Sequence, residues 1–558
     1  MFTLILKNKD NLKVDFDDKI TLKELAKQYG IKAIVATVNN RLRELNYYVN
    51  YNATIEFLDL TNLESVRVYE TSMRYLVIMA LENLYPDVKV YFGQCVSRSL
   101  YCHVHGKGIR MNEEFLEKLE KEMKRIIALD LPITRYEMTK EEARKFYESK
   151  GYFDKSAVFK YREEDIVHAN KCGDYINYMF GYLVSSTGDL GNFKLRSYYP
   201  GFIIQLPRSE CNGEIPEFEE APVFGKMIKD ARDWAKLCKC ETIPDLNKYA
   251  SEWEVVDLVT MCETRHNNML AELGDIIKAR KNDIRLVCIA GPSSSGKTTF
   301  SHRLRIELLS KGLKTIKISM DDYYKNRDEC PVDEDGKPDF EHVEALDLKL
   351  FNENLLSLIE GEEVCLPVFD FKQGKRVKGE PIKIDNDTII IIEGIHALNE
   401  RVTRLIPKHQ KYKIYISPLS QINIDNHNPI SATDIRLLRR IVRDEMTRHT
   451  NPSATFAMWP SVRRGEFKWI YPNQEQADYV FNTELTYELA VMKKYALSSL
   501  QTIGKNDEYF IQANRLIKFL KYIRDIDEKY VPCNSLLREF IGGSCFYDFY
   551  DENNKLNQ

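Results

Sequence analysis

The sequence has no long apolar run and no paired-cysteine motif. None of its apolar stretches approaches the length of a membrane-spanning helix, and residues 1–7 lack the extended apolar core of a secretion signal. The 12 cysteines are scattered without any Cys-x-x-Cys pair, so neither a zinc ribbon nor a disulfide framework is indicated. We therefore expect a cytoplasmic protein with reduced cysteines and no membrane partner.

A strong charge of one sign and internal repetition are also missing. The formal net charge is −4, which offers no overall attraction to nucleic acid or to an anionic membrane. No repeat or low-complexity tract stands out along the chain. With 558 residues, of which 44% are hydrophobic and 29% charged, the composition is typical of a soluble protein with several globular domains.

Residues 291–298, Gly-Pro-Ser-Ser-Ser-Gly-Lys-Thr, fit the phosphate-binding pattern G-x-x-x-x-G-K-[ST]. The apolar run at 285–290 predicts a buried strand before the pattern, and residues 299–309 predict a helix after it. In such a loop the backbone amides surround a polyphosphate, while Lys297 adds positive charge and Thr298 holds Mg²⁺. The sequence therefore predicts a nucleoside triphosphate site. Its predicted phosphate-binding residues are Gly291, Pro292, Ser293, Ser294, Ser295, Gly296, Lys297, Thr298 and Thr299.

Carboxylates follow two further predicted strands. The strand at 314–319 leads to Asp321 and Asp322, and the isoleucine-rich strand at 388–392 ends in Glu393. Because parallel sheets bind ligands at the carboxyl ends of their strands, these acids are candidates for the chemistry. Asp321 could accept a proton from an attacking hydroxyl or hold the metal through water, with Asp322 as its alternative, and Glu393 is a candidate Mg²⁺ ligand.

A predicted helix after the strand at 412–417 is rich in arginine. Its arginines are Arg436, Arg439, Arg440, Arg443 and Arg448. The spacing of Arg436, Arg440 and Arg443 places them on one helical face. Guanidinium groups can neutralise a transferring phosphoryl group, although a charged surface helix is the alternative interpretation.

These motifs, in this order, resemble the uridine kinase and phosphoribulokinase family. Residues 321–324 resemble its Asp-x-Phe/Tyr-Tyr motif, residues 366–371 its Leu-Pro-x-Tyr-Asp-Phe strand, and residues 439–444 its lid helix. The resemblance implies a P-loop NTPase fold with a parallel sheet and ATP-dependent, Mg²⁺-requiring phosphoryl transfer to a hydroxyl of a nucleoside, uridine- or cytidine-like or related. It implies catalytic roles for Asp321, Lys297, Arg440 and Arg443, a triphosphate contact for Arg448, and acceptor contacts for Tyr324, Glu341, Phe369 and Phe371.

Two departures from the family pattern concern the acceptor. Gly374 stands where uridine kinases carry a base-reading histidine, and Thr450 replaces the second arginine of the family's lid Arg-Gly-Arg. A site that loses such hydrogen-bonding partners loses discrimination steeply. Phosphoryl transfer to a hydroxyl is therefore better supported than uridine as the acceptor.

The N-terminal half resembles threonyl-tRNA synthetases. Residues 1–65 are similar to a TGS domain of β-grasp type, and residues 66–207 to the α+β domain that follows TGS and can edit mischarged tRNA. The four editing positions hold Tyr75, Met79, Met179 and Leu183, none of which suits a hydrolytic site. The resemblance leaves a second hypothesis, an RNA- or tRNA-associated NTPase or regulatory binding protein, which the overall charge does not support.

The predicted organisation has five parts. The two synthetase-like domains are followed by a helical connector at 208–282, a kinase domain at 283–500 and a helical C-terminal extension at 501–558. The extension ends in a polar tail, and we assign it no chemistry.

Overall fold

The N-terminal residues form a small mixed sheet packed on one helix. The computed structural model describes residues 1–106, 108–333, 336–370, 374–420 and 422–546. The first elements are β1 (Phe2–Leu6), β2 (Leu12–Phe16), β3 (Ile20–Thr21), α1 (Leu22–Gln28), β4 (Val35–Val38), β5 (Arg41–Glu44), β6 (Tyr48–Val49) and β7 (Ala53–Leu58). The main sheet has the order β2-β1-β7-β4-β5, in which β1 is antiparallel to β2 and parallel to β7.

Local sequence explains these elements. Along β1, Phe2, Leu4 and Leu6 face the core and alternate with less buried residues, as expected for a strand with one buried face. Helix α1 begins with a capping box between Thr21 and Glu24, which satisfies the first free amides of the helix. This region therefore contains a hairpin of β1 and β2 and a capped helix.

The second region is built around a long buried helix. Its elements are α2 (Leu63–Leu84), β8 (Lys89–Phe92), β9 (Leu100–His105), α3 (Glu113–Ala128), β10 (Ile133–Thr139), α4 (Lys140–Ser149), α5 (Phe153–Lys160), β11 (Ile166–Cys172), β12 (Tyr175–Asn177), β13 (Lys194–Tyr198) and β14 (Gly201–Gln205). Two antiparallel sheets have the orders β13-β14-β9-β8 and β10-β11-β12. Most residues of α2 are buried, as expected of a helix that is apolar on most of its surface.

A parallel sheet carries the phosphate-binding motif. Three connecting helices precede it, α6 (Pro222–Leu237), α7 (Ile243–Tyr249) and α8 (Glu252–Ala279). The sheet region contains β15 (Leu286–Ala290), α9 (Lys297–Ser310), β16 (Thr315–Ser319), α10 (Leu348–Ile359), β17 (Val364–Asp370), β18 (Lys375–Ile382), β19 (Ile389–Glu393) and β20 (Lys411–Ser417). Next come β21 (Asn423–Asp425), β22 (Asn428–Pro429), α11 (Ala432–Arg448), α12 (Pro452–Gly465), α13 (Tyr471–Gln474) and β23 (Tyr479–Asn482).

The strand order explains where a ligand site can form. The order is β16-β19-β15-β20-β23 with every pair parallel, and the chain crosses from one side of β15 to the other between β19 and β20. Such a reversal opens a crevice at the carboxyl end of the strand, where open α/β sheets bind ligands. The α/β fold with a parallel P-loop sheet, as expected from the sequence, is confirmed.

The connector and the C-terminal region share the core of this sheet. The last helices are α14 (Glu488–Leu500), α15 (Phe510–Leu520) and α16 (Arg538–Ile541). One apolar cluster contains Leu258 of α8, Ile289 of β15, Leu516 of α15 and Phe540 of α16, all of which are buried. The C-terminal region therefore packs as part of the kinase-like unit. No helix within the described ranges is both long and apolar enough to cross a membrane.

Candidate functional site

The loop between β15 and α9 has the backbone of a phosphate cradle. Ser294 and Gly296 have positive φ angles of 60° and 88°, which curl the chain. A Cβ atom at Gly291 would lie 2.1 Å from the carbonyl oxygen of Ile416, so only glycine fits there. The hydroxyl groups of Ser294, Ser295 and Thr299 are buried without a hydrogen-bond partner. The loop thus holds polar atoms in excess of what the protein itself satisfies.

Lys297 lies folded over this loop. Its Nζ donates hydrogen bonds to the carbonyl oxygens of Gly291 at 3.1 Å and Pro292 at 3.2 Å. Burial lowers the pKa of Lys297, and the negative charges of Glu393 and Asp321 oppose that shift. The lysine and the two predicted carboxylates therefore share one electrostatic environment.

Glu393 ends β19 directly beside the loop. The Thr298 hydroxyl donates to its Oε1 over 3.3 Å, and Lys317 Nζ lies 3.9 Å from the same oxygen. The predicted pair of Thr298 and Glu393 is thus brought together. Among the described residues, no group of three or more His, Cys, Asp or Glu side chains is arranged to hold a metal ion.

Asp321 and Asp322 have different surroundings in the turn after β16. Desolvation and then the negative charge of Glu393 raise the pKa of Asp321 to about 6, although its side chain still reaches solvent in the cleft. Asp322 instead accepts the amide of Phe369 at 3.2 Å and so ties the turn to β17. Asp322 therefore has a structural contact, while Asp321 faces the charged groups of the cleft.

Helix α11 brings arginines to the loop. Arg440 Nη1 donates to Ser293 Oγ at 2.9 Å. Arg440 and Arg443 also form ion pairs with the buried carboxylate of Asp444, at 3.3 and 2.9 Å, and Arg448 lies 3.8 Å from it. Asp444 thus organises the three arginines predicted to contact phosphate. Its place in the Arg-Asp motif was visible in the sequence, but nothing there showed that one carboxylate pairs with all three.

The other two arginines of α11 are held in buried ion pairs. Arg436 binds both carboxylate oxygens of Glu466, at 2.6 and 2.8 Å. Arg439 pairs with Glu488. The arginines that the helical spacing places on one face therefore have different partners. Arg436 is held by Glu466, whereas Arg440 reaches the phosphate loop.

Aromatic side chains and a partly buried carboxyl group lie together in the part of the cleft where acceptor contacts were predicted. The ring of Tyr324 packs edge-on against Phe340 and Phe369, with centroids 6.0 and 5.9 Å apart. Beside it, desolvation and then the charge of Glu466 raise the pKa of Glu341 to about 8. Glu341 Oε2 is buried without a hydrogen-bond partner. The structure thus brings together Tyr324, Glu341 and Phe369, while Phe371 lies outside the described residues.

Two glycines shape this side of the cleft. A Cβ atom at Gly465 would lie 2.4 Å from Cβ of Glu341, so α12 passes directly against the carboxyl residue. Gly374 has a φ of 66°, and a Cβ there would meet the Arg327 side chain at 2.5 Å. The departure at Gly374 therefore has a backbone requirement that a histidine would strain.

The four editing positions are part of the core of the second region. Tyr75, Met79, Met179 and Leu183 are all buried. The Tyr75 hydroxyl donates to the carbonyl oxygen of Asn170 at 3.1 Å. All four side chains pack in the core, Tyr75 also bonds to the backbone, and none of them is a hydrolytic group.

The C-terminal region also reaches the phosphate loop, a contact that could not be predicted from the sequence. Glu539 Oε2 accepts the backbone amide of Thr299 at 3.0 Å. No sequence pattern links these two residues, which are separated by 240 positions.

The parallel sheet, the cradle after β15 and the acidic groups at neighbouring strand ends define a P-loop phosphotransferase fold. The model of the phosphoribulokinase / uridine kinase family matches residues 286–490. A uridine kinase of Borrelia duttonii is 33% identical over 230 residues, which cover 41% of this chain and 99% of that protein. The chain belongs to the phosphoribulokinase and uridine kinase family.

The N-terminal region is similar to threonine–tRNA ligases. The ligase of Thermotoga sp. strain RQ2 is 33% identical over 191 residues, or 34% of this chain. The chain spans only 30% of the length of that ligase. A solved structure of a possible uridine kinase from Bacillus stearothermophilus has 19% sequence identity and a TM-score of 0.28, covering 39% of this chain and 100% of its own.

Proposed function

We propose that this protein transfers the γ-phosphoryl group of ATP to a hydroxyl of a nucleoside of the uridine or cytidine type. The observation that carries the proposal is the convergence of Lys297, Asp321 and Glu393 beyond the carboxyl ends of three adjacent parallel strands. A general base, a phosphate-binding lysine and a metal-binding acid are the groups that such a transfer needs. Family membership supports the kinase chemistry.

On this proposal, Asp321 accepts the proton of the attacking hydroxyl. A carboxyl group with a pKa of about 6 is mostly ionised at neutral pH and still basic enough to take a proton. The loop amides and Lys297 bind the phosphates, Arg440 and Arg443 stabilise the transferring group, and Arg448 contacts the triphosphate.

The residues around Glu393 suit a magnesium ion. Kinases typically hold Mg²⁺ through one or two side chains, and the remaining positions belong to phosphate oxygens and water. The Thr298 hydroxyl and the Glu393 carboxylate, 3.3 Å apart, supply two hard oxygen ligands of that kind. Bound Mg²⁺ would neutralise phosphate charge during transfer.

The acceptor would lie against Tyr324 and Phe369, with Glu341 bonding a sugar hydroxyl, and the contact predicted for Phe371 from the family resemblance is part of the same proposal. The raised pKa of Glu341 and its unpartnered Oε2 support a polar ligand at this position. Gly374 and Thr450 lack the histidine and arginine side chains found at these positions in uridine kinases. The pyrimidine base of the acceptor is therefore part of what we propose.

The test is an acceptor screen with ATP and a panel of nucleosides, comparing the wild type with Asp321→Asn. We expect a phosphorylated pyrimidine nucleoside from the wild type, and for the variant a loss of kcat on the order of 10²–10⁴ with ATP affinity retained. Asp322→Asn is the matched control, because Asp322 bonds the Phe369 amide, and it should lose far less. Tight ATP binding without product from any acceptor would refute the proposal.

Association with RNA or tRNA is the second candidate function. The similarity to threonine–tRNA ligases over the N-terminal region favours it. Retention of tRNA by the protein at low salt would support this candidate, because phosphate contacts are strongest there. Failure to retain tRNA under those conditions would contradict it.

A further inference from the structure

The end of the described chain lies against the phosphate loop. We call residues 531–546 the C-terminal segment. Its Glu539 accepts the Thr299 amide at 3.0 Å, and Thr299 is the third residue of α9. Amides in the first turn of a helix have no partner within the helix, which is why they bind phosphate after a P-loop.

Apolar residues hold the segment in this position. A Cβ atom at Gly296 would lie 2.4 Å from Cδ2 of Leu536, so Leu536 rests on the loop itself. The ring of Phe540 covers the guanidinium of Arg439, with 4.9 Å between the carbon of that group and the ring centroid. Leu536 and Phe540 are 1% and 0% exposed. The contact of Glu539 is thus built into the fold.

Glu539 is less enclosed than the two apolar residues that hold the segment. Its side chain is only partly buried, whereas Leu536 and Phe540 belong to the core. Rotation of the Glu539 side chain would free the Thr299 amide while the rest of the segment stays packed. A carboxylate at this amide gains from the helix dipole in the same way that a phosphate does.

We propose that Glu539 is an internal competitor for the phosphate site, so that nucleotide binding must first displace its carboxylate from the Thr299 amide. The proposal rests on the proposed function, because it assumes that the loop binds the phosphates of ATP. The single amide hydrogen of Thr299 cannot form full-strength hydrogen bonds to a carboxylate oxygen and a phosphate oxygen at the same time. The C-terminal segment thereby lowers the affinity of the site for nucleotide.

The test measures dissociation constants of the full chain for ATP, tripolyphosphate and adenosine. In Glu539→Ala we expect ATP and tripolyphosphate to bind about tenfold more tightly, as loss of a competing charged hydrogen bond predicts. Adenosine has no phosphate, and its affinity should not change. Glu539→Gln keeps the size of the side chain but accepts a weaker hydrogen bond, so its gain should be smaller and in the same direction.

Two controls separate this proposal from the proposed function. Asp525→Asn removes one negative charge from an exposed residue paired with Lys493, and should leave all three affinities unchanged. Lys297→Ala should abolish tripolyphosphate binding. If Glu539→Ala binds tripolyphosphate as the wild type does, or more weakly, while Lys297→Ala loses it, the nucleotide site stands and the competition is refuted. If neither the wild type nor any variant binds ATP or tripolyphosphate, both the proposed nucleotide site and the competition by Glu539 are refuted.

Discussion

The surroundings of Glu341 in the folded protein favour the neutral form of its carboxyl group. Desolvation and Glu466 raise its pKa from an ordinary 4.5 to about 8, so between these pH values the folded protein holds a proton that the unfolded chain releases. The free energy of unfolding should therefore fall as pH rises from about 4.5 to about 8. Glu341→Gln removes the contribution of Glu341 to this pH dependence. We expect the variant to exceed the wild type in Tm at pH 9 and to match it near pH 5, in thermal unfolding without ligand.

Glu341→Gln should also lower kcat/KM. A carboxyl group, charged or protonated, forms different hydrogen bonds with an acceptor hydroxyl than an amide does. Glu353→Gln is the matched control, since Glu353 is an exposed residue of α10 that pairs with Lys349. It should change neither the Tm difference between pH values nor kcat/KM. A stability gain in Glu341→Gln that is equal at pH 5 and pH 9 would show that packing, and not titration, is responsible.

At this scale the sequence could predict the residues whose motif determines their position. Lys297 and Thr298 are placed by the loop pattern, and Asp321 and Glu393 by the ends of their strands, and the structure brings all four to one cleft. Glu539 could not be found in this way. Its contact with Thr299 depends on the path of the C-terminal segment, which no local pattern encodes.

One carboxylate contacts three of the five arginines of helix α11. Asp444 is 1% exposed and is paired with Arg440 and Arg443, with Arg448 at 3.8 Å. Removing one partner of a buried ion pair costs about 3 kcal/mol or more, since it leaves charge uncompensated. We expect Asp444→Asn to lower the Tm and to reduce phosphoryl transfer. Tripolyphosphate should then raise the Tm of the variant by more than that of the wild type, because an anion replaces the lost charge.

Glu445→Gln is the control for this helix, because Glu445 is the adjacent residue and is exposed. It should leave the Tm and the tripolyphosphate effect at wild-type values. An Asp444→Asn variant that is as stable as the wild type, with unchanged kcat, would show that the arginines are positioned by other contacts.

Elements were more predictable than the contacts between them. The phosphate-loop strand was expected at 285–290 and is observed at Leu286–Ala290, since a short apolar run before the loop has few other solutions. The helix rich in arginine was also expected. The pairing of these arginines with three different acids, Glu466, Glu488 and Asp444, was not expected. The helical period does not determine which acid each arginine meets, because that depends on tertiary packing.

For the whole molecule, the synthetase-like region is docked onto the segment that leads into α11. Arg74 Nη1 donates to the carbonyl oxygen of His427 at 2.6 Å, and Lys155 lies 3.4 Å from Asp425. Gln94 donates to the carbonyl oxygens of Ser420 and Ile430. The second region thus contacts the chain between β20 and α11 at several points. The partners are hundreds of residues apart, so the sequence alone could not reveal this docking.

A substitution next to the first turn of α11 can test whether the contact between the second region and α11 affects phosphate binding. Burial alone would raise the pKa of Asp434, but Arg515 of α15 and Arg67 of α2 together lower it. We expect Arg67→Gln to cost about 1–2 kcal/mol of stability and to weaken tripolyphosphate binding several-fold, because Asp434 loses one of two partners and α11 shifts at its start. Arg125→Gln, which removes an exposed arginine paired with Glu122 on α3, should alter neither quantity. A lower Tm with unchanged tripolyphosphate affinity would mean that the second region stabilises the fold without positioning the arginines.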